Sequence, residues 1–230
     1  MIKAVVFDLD NTLMDYMKMK TISCREALSA MIDAGLEIDE KTGTKKLFEL
    51  YDEYGIEFHE AFQVFLRKEI GRIDWKILAS GINAYRRVKE SFLGPYPHVH
   101  ITLLRLREMG LKLGIVSDAP KLKAWLRLTG IGLADFFDAV LTVDDVEGKT
   151  KPHPMPFREI TKKLKVKPEE IIFIGDNPSR DIKGANQAGM HTVLAKYGQW
   201  KTQGKTKMEK ADYEINDIKD ILDLDILKVK

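Results

Sequence analysis

The sequence predicts an α/β fold, a doubly wound parallel sheet joined to a smaller, all-helical domain. Three observations lead there. Short β-branched and aromatic runs recur along the chain, with helical stretches of roughly ten residues between most of them, as in strands joined by crossover helices. One long interval, from Asp15 to Pro95, holds no convincing strand but several apolar stripes at helical spacing. At 230 residues the chain can bury a sizeable core and still spare residues for a second unit.

Residues 3–7 read as the first buried strand, and Leu111–Val116, Ala139–Val143, Ile171–Ile174 and Thr192–Leu194 as the strands that follow. A structureless insertion of roughly 80 residues would be out of place inside a compact domain, so residues 16–94 are expected to form a helical domain, and 1–15 with 95–230 the sheet domain. Within the insertion Leu47, Leu50, Tyr51 and Tyr54 fall at i, i+3, i+4 and i+7, as do Trp75, Leu78, Ala79 and Ile82, while Phe58, Phe62, Phe65 and Leu66 share a face. These stripes are read as core packing. The stiff Gly-Pro-Tyr-Pro run at 94–97 returns the chain to the sheet. Lys196–Lys210 is polar and reads as a solvated loop before a last strand and helix.

Composition narrows the function. Lys and Arg total 37 against 35 for Asp and Glu, a formal charge of +2, which offers no electrostatic case for nucleic acid or an anionic membrane. The start of the chain has no signal-peptide pattern and no later stretch approaches a membrane span, so the expected location is the cytoplasm. Cys24 is the only cysteine, which excludes an internal disulfide framework and reads as a small buried residue.

Chemistry concentrates at the carboxyl ends of the expected strands, which gather on one edge of a parallel sheet. Asp8 and Asp10 follow the first strand in Asp-Leu-Asp-Asn-Thr-Leu, Ser117 and Asp118 follow the second, Lys151 precedes Pro152 after the third, and Asp176 follows the fourth in Gly-Asp-Asn-Pro-Ser-Arg-Asp. Singly each has a bland reading: a capping turn for Asp8 and Asp10, helix caps for Ser117 and for Asn177 or Ser179, a solvated lysine for Lys151. Together, three carboxylates, a lysine and a hydroxyl suit a hard divalent cation that holds a phosphate. Asp8 and Asp10 can then lie close because the cation and Lys151 offset their repulsion.

In these four motifs, and in the helical insertion after the first, the chain resembles the haloacid dehalogenase superfamily of hydrolases over essentially its whole length. The resemblance implies a Rossmann-like core with a mobile helical cap and a Mg²⁺-dependent phosphatase. Asp8 would attack phosphorus and form an aspartyl-phosphate, and Asp10 would act as general acid and then base while its backbone carbonyl ligates the metal. Asp8, Asp10 and Asp176 would hold Mg²⁺, with Asp181 one layer further out. Lys151 would neutralise charge, and Ser117, Asp118 and the backbone N–H groups near Leu9 would face the phosphoryl oxygens. Two positions depart from the common pattern. Asn11 replaces a frequent Gly, a tolerable change if the position needs φ > 0. Asp118 stands where Asn is frequent, which removes a side-chain amide from the phosphate site.

The expected substrate is a small phosphorylated metabolite, glyceraldehyde 3-phosphate or phosphoglycolate, with no nucleic-acid or membrane partner; monomer and homodimer are not distinguished. A phosphomutase shares the first half-reaction, and phosphonatase chemistry would need an amine that could come from a cap lysine. Dehalogenation would leave Asp10 without a task. A non-hydrolytic phosphate-accepting module is the alternative from another class, although its acceptor would follow a central strand and no large helical insertion would intervene. Of His59, His98, His100, His153 and His191, only His153, beside the lysine motif, invites attention. Asp15, Tyr16, Lys18 and Lys20 read as a solvated linker that could reach substrate.

Overall fold

Val5, Val6 and Phe7 are branched or aromatic and fully buried, and they form β1 (Ala4–Phe7) at the centre of the sheet. The structure is a computed structural model that describes residues 1–199 and 209–228. The chain leaves β1 for four helices, α1 (Tyr16–Asp33), α2 (Glu40–Tyr54), α3 (Ala61–Ile70) and α4 (Trp75–Ser91). It returns through α5 (Val99–Glu108) to β2 (Lys112–Val116), then α6 (Lys121–Gly130), β3 (Ala139–Leu141), α7 (Pro154–Leu164), β4 (Ile171–Gly175), α8 (Lys183–Gln187) and β5 (His191–Ala195). β6 (Tyr213–Ile215) and α9 (Asp225–Lys228) end it. The chain divides into two compact units, Met1–Asp15 with Gly94–Lys230, and Tyr16–Leu93.

In the first unit the described strands form one sheet in the order β3-β2-β1-β4-β5-β6, and every pair is parallel. Successive crossovers run outward from β1 to β3, and the next element, β4, lies on the other side of β1. That reversal makes the carboxyl ends of β1 and β4 a topological switch point, where open α/β sheets place their ligands. One sheet face carries Val6, Phe173 and Leu141 against Phe157, Ile160 and Leu164 of α7. Pro95 pairs with Met14, and the Tyr96 N–H donates to the Leu13 carbonyl at 2.9 Å. The chain thus leaves and re-enters this unit through adjacent backbone.

The second unit is helical throughout its regular structure, with a core of Leu28, Met31, Leu47, Leu50, Phe65 and Leu66 among others. Asp39 and Asp74 cap α2 and α4 by accepting from the Thr42 N–H and from the Lys76 and Ile77 N–H groups, which satisfies donors that a first turn leaves over. The α2 and α3 stripes face inward except for Tyr54, which is exposed and stacks on Phe58. The expected α4 stripe is corrected by about a third of a turn: Ile77, Leu78, Gly81 and Ala84 are buried, while Trp75 is 73 % exposed. The reason is close packing on α1, since a Cβ at Gly81 would run into Met31. Gly81 makes that contact possible, and like the buried Ala84 it is too small to stand out in an apolar stripe.

The solvated-linker reading is corrected for Tyr16 and Lys20, while Lys18 is exposed. Tyr16 and Lys20 are buried residues of α1; the Tyr16 hydroxyl donates to Glu57 at 3.2 Å, and the Lys20 ammonium lies 3.9 Å from the centre of the Tyr51 ring and 3.3 Å from the Tyr85 hydroxyl. Cys24 is buried as expected, and burial pushes its thiol up to about 11. In the loop expected at 196–210, Lys196–Gly198 forms a helical turn with Gly198 buried; residues 200–208 lie outside the described residues.

Candidate active site

Strand register assembles the site. Phe7 lies level with Ile115 of β2 and Ile174 of β4, so the residues that follow emerge together at the carboxyl edge: Asp8 from β1, Ser117 just beyond β2, Asp176 just beyond β4. The Asp8 N–H donates to the Ile174 carbonyl at 2.8 Å and the Ser117 N–H to the Leu141 carbonyl at 2.9 Å. The loop after β1 then turns sharply. Asn11 has φ +62°, in the left-handed region where Asn is among the better tolerated side chains, and its N–H donates to the Met14 carbonyl at 2.7 Å.

Lys151 is the hub. Its ammonium, without exposed surface, lies 2.5 Å from Asp8 Oδ1 and 2.7 Å from Asp181 Oδ1, and donates to the Val116 carbonyl at 3.1 Å. Asp8, Asp176 and Asp181 each offer a carboxylate oxygen, all within 4.8 Å of one another and all buried. With every group ionised, three carboxylates face one ammonium and, nearby, the Arg180 guanidinium, whose charged form Asp181, Asp8 and Asp176 favour. Burial pushes the Asp8 carboxyl up to about 7; Lys151 opposes the rise, while Asp181 and Asp10 add to it. Burial works against the Lys151 ammonium, but Asp181 and Asp8 outweigh it and hold its pKa above the usual lysine value.

Local sequence explains how Asp181 reaches the cluster. Asn177 caps the turn Pro178–Ile182 by accepting from the Ser179 and Arg180 N–H groups at 3.0 and 3.2 Å, and its own N–H donates to Asp181 Oδ2 at 3.0 Å. A Cβ on Gly175 would sit on the Asp181 carboxylate, so glycine there makes the room. Asp181 therefore lies beside Asp8 and Asp176, in contact with Lys151. Thr12, inside the first motif, donates its hydroxyl to Asp8 Oδ2 at 3.2 Å.

Ser117 is buried, and its hydroxyl accepts from the Ala119 N–H at 3.1 Å. Asp118 joins neighbouring loops. Its carboxylate accepts from the Lys151 N–H at 3.0 Å and from Arg180 Nη1 at 3.3 Å, so it ties the loops after β2, β3 and β4 together. His153 is accounted for by capping, since its Nδ1 accepts from the Met155 N–H at 3.2 Å. Leu9 is buried, and its carbonyl accepts from the Leu13 N–H at 3.0 Å.

Asp10 stands apart from the metal-type cluster. Its side chain is 23 % exposed, and Oδ2 lies 2.5 Å from Nη1 of Arg127, whose side chain is only 5 % exposed. The sequence reading passed over Arg127. Its one signal was position, on the buried stripe Ala124–Arg127–Leu128 of α6. Tyr197 was missed as well: its hydroxyl donates to the Thr12 carbonyl at 2.9 Å, and Gly198 packs so closely on Asn11 that a Cβ would overlap the Asn11 carbonyl.

The donor chemistry fits a metal. Asp8, Asp176 and Asp181 present oxygen atoms only, within reach of one ion, a donor set that suits a hard divalent cation. No helix among the described residues is long and apolar enough to cross a membrane.

The chain is similar to known proteins over nearly its whole length. Glyceraldehyde 3-phosphate phosphatase from Methanocaldococcus jannaschii is 38% identical over 224 residues, covering 97% of each chain. The protein of the same name from Methanopyrus kandleri is 39% identical over 227 residues, again 97% of each. A HAD phosphatase from Thermococcus onnurineus superposes with a TM-score of 0.69 at 27% identity, covering 96% of this chain and 97% of that one. The family model for haloacid dehalogenase-like hydrolases matches residues 5–195, from the strand that carries Asp8 to the end of β5, and to that family the chain belongs.

Proposed function

We propose that this phosphatase hydrolyses glyceraldehyde 3-phosphate, or a phosphorylated metabolite of similar size such as phosphoglycolate, with Mg²⁺ as cofactor and an aspartyl-phosphate on Asp8 as intermediate. The observation that carries this reading is the contact of Lys151 with both Asp8 and Asp181, at 2.5 and 2.7 Å, inside a cluster of three buried carboxylates. The substrate comes from the relatives that share 38–39% identity over nearly the full length of both chains.

Asp8 would attack phosphorus as its carboxylate, while Asp10 gives its proton to the departing alcohol oxygen as the P–O bond breaks. Asp10, now ionised, would take a proton from water; the water oxygen bonds to phosphorus and the bond to Asp8 breaks, which restores the carboxylate. A bound Mg²⁺ would lower the charge repulsion between the phosphoryl group and the carboxylates and orient the phosphoryl oxygens. Asp8, Asp176 and the Asp10 carbonyl would hold it, with Asp181 beside them. Lys151 keeps Asp8 in place and would neutralise charge growing on phosphoryl oxygens, a preorganised electrostatic role. Ser117 and the backbone around Leu9 would face those oxygens. Asp118 would act indirectly, through the Lys151 loop. Residues 16–93 would serve as a cap that selects the non-phosphoryl part of the substrate.

The test is phosphate release from a panel of triose phosphates, phosphoglycolate and sugar phosphates after chelation, with and without restored Mg²⁺. The expected result is Mg²⁺-dependent turnover with glyceraldehyde 3-phosphate preferred. Full activity after rigorous metal removal would overturn the proposed role of the carboxylate cluster.

A further inference from the structure

The Asp8 cluster explains Lys151, Asp176 and Asp181, but not why a buried arginine reaches the other aspartate of the first motif. Arg127 projects from the core-facing stripe of α6, between Ala124 and Leu128. Arginine is rarely buried unless paired, cannot lose its charge in a protein, and presents a planar, fixed fork of donors. Nη1 lies 2.5 Å from Asp10 Oδ2. The Asp10 side chain keeps partial exposure while that of Arg127 is almost entirely enclosed, so the guanidinium is the fixed partner and the carboxylate the one being held. Asp10 itself sits on a tight loop, one residue before Asn11 with its positive φ.

We propose that Arg127 is a positioning residue: it anchors the Asp10 carboxylate through Oδ2, so that the same group stays in place for proton donation to the leaving oxygen and for proton removal from water. The inference rests on the phosphatase reading above and adds a residue to it. Asp10 must act twice, at nearly the same point in space, on two different oxygens. The loop around it is buried, with Leu9, Thr12 and Leu13 fully enclosed, but the Asp10 side chain itself is 23 % exposed, and a misplacement of about 1 Å can cost on the order of 10²-fold in rate. The bland alternative is that the pair merely fastens α6 to the first loop. That role would affect stability but would not distinguish one leaving group from another.

The experiment compares wild type, Arg127→Lys, Arg127→Met, Asp10→Asn and the double variant Asp10→Asn/Arg127→Met as full-length, Mg²⁺-loaded enzymes, with glyceraldehyde 3-phosphate and 4-nitrophenyl phosphate as probes. Arg127→Met should lower kcat for the alkyl ester by about 10²-fold, as expected for a displaced catalytic group, with KM changed far less. Nitrophenol should appear in a burst followed by slow turnover, because the nitrophenolate departs without a proton while dephosphorylation still needs a base. Arg127→Lys keeps the charge without the fork and should fall between wild type and Arg127→Met, which keeps the test usable if the methionine variant folds poorly. In the Asp10→Asn background, Arg127→Met should cost little more, since the two residues would act as one unit. Equal slowing of both substrates, unchanged kcat, or full additivity with Asp10→Asn would overturn the inference. Undiminished activity of Asp8→Asn would instead overturn the phosphatase mechanism on which it rests.

Discussion

Asp8 and Asp10 differ by two positions and by environment. Asp8 is buried against Lys151, and Asp10 is paired with Arg127. The elevated Asp8 pKa gives a pH signature to the metal-free protein. Its folded value near 7 lies above the ordinary 3.8, so its contribution to stability is fully present below the ordinary value and is lost as pH rises through about 7. Metal binding requires the ionised form. Mg²⁺ uptake by the metal-free protein near pH 6 should therefore release a proton, and affinity should rise with pH until Asp8 is ionised. Calorimetry in two buffers of different ionisation enthalpy checks this, and Asp8→Asn should remove that part of the proton release. An unchanged proton release in that variant would show that another group titrates. Residue chemistry was legible where several types coincide in order: Asp8, Asp10, Ser117, Lys151 and Asp176 stand out because no structural pattern calls for all of them. Arg127 was not legible. A lone arginine in a helix with Lys121, Lys123 and Leu126 nearby reads as solvated, and only the packing of α6 shows which way it faces.

At the scale of elements, sequence patterns locate the strands because a parallel sheet buried on both faces needs continuous apolar runs. Ala4–Phe7 and Ile171–Gly175 are such runs, each buried from end to end. Contacts made through small residues or turns leave a weaker trace. The buried α4 face includes Gly81 and Ala84, and Lys196–Gly198 looks like the start of a polar loop yet buttresses the first motif. Gly198→Ala tests that buttress: the added Cβ would meet the Asn11 carbonyl, which is backbone and cannot swing aside, and would lie 3.1 Å from the Asp176 Cβ. A destabilisation of about 1–3 kcal/mol is expected from such overpacking, with a clear drop in kcat because the displaced loop carries Asp8 and Asp10. Gly94→Ala has no neighbour within 4 Å of its added Cβ and should be nearly neutral. Thermal melts and turnover of the two variants provide the check, and equal behaviour would remove the buttressing role.

For the whole molecule, the order β3-β2-β1-β4-β5-β6 puts Asp8 at the topological switch point, and the helical unit Tyr16–Leu93 is inserted without interrupting the sheet. The sequence showed the insertion by its missing strands, while its internal helix faces depended on packing that a one-dimensional pattern records only in part. Because Met14 and Pro95 are paired neighbours, a short linker replacing residues 16–93 should leave a folded sheet unit. That variant is expected to retain Mg²⁺-dependent hydrolysis of 4-nitrophenyl phosphate and to lose its preference among metabolites, a loss that steady-state kcat/KM values would show; an unchanged preference would place specificity in the sheet unit. The central claim, that Asp8 carries the phosphoryl group while Asp10 moves protons, is tested most directly by mass spectrometry of Asp10→Asn quenched during turnover of 4-nitrophenyl phosphate. Loss of a general acid and base costs about 10²–10⁴ in rate, and with an aryl ester that cost falls on the second step. The account predicts a phosphate increment on the peptide containing Asp8, absent when Asp8 is also replaced by Asn. A quenched Asp10→Asn enzyme that turns over substrate with no phosphate on that peptide, or with phosphate on another residue, would contradict it.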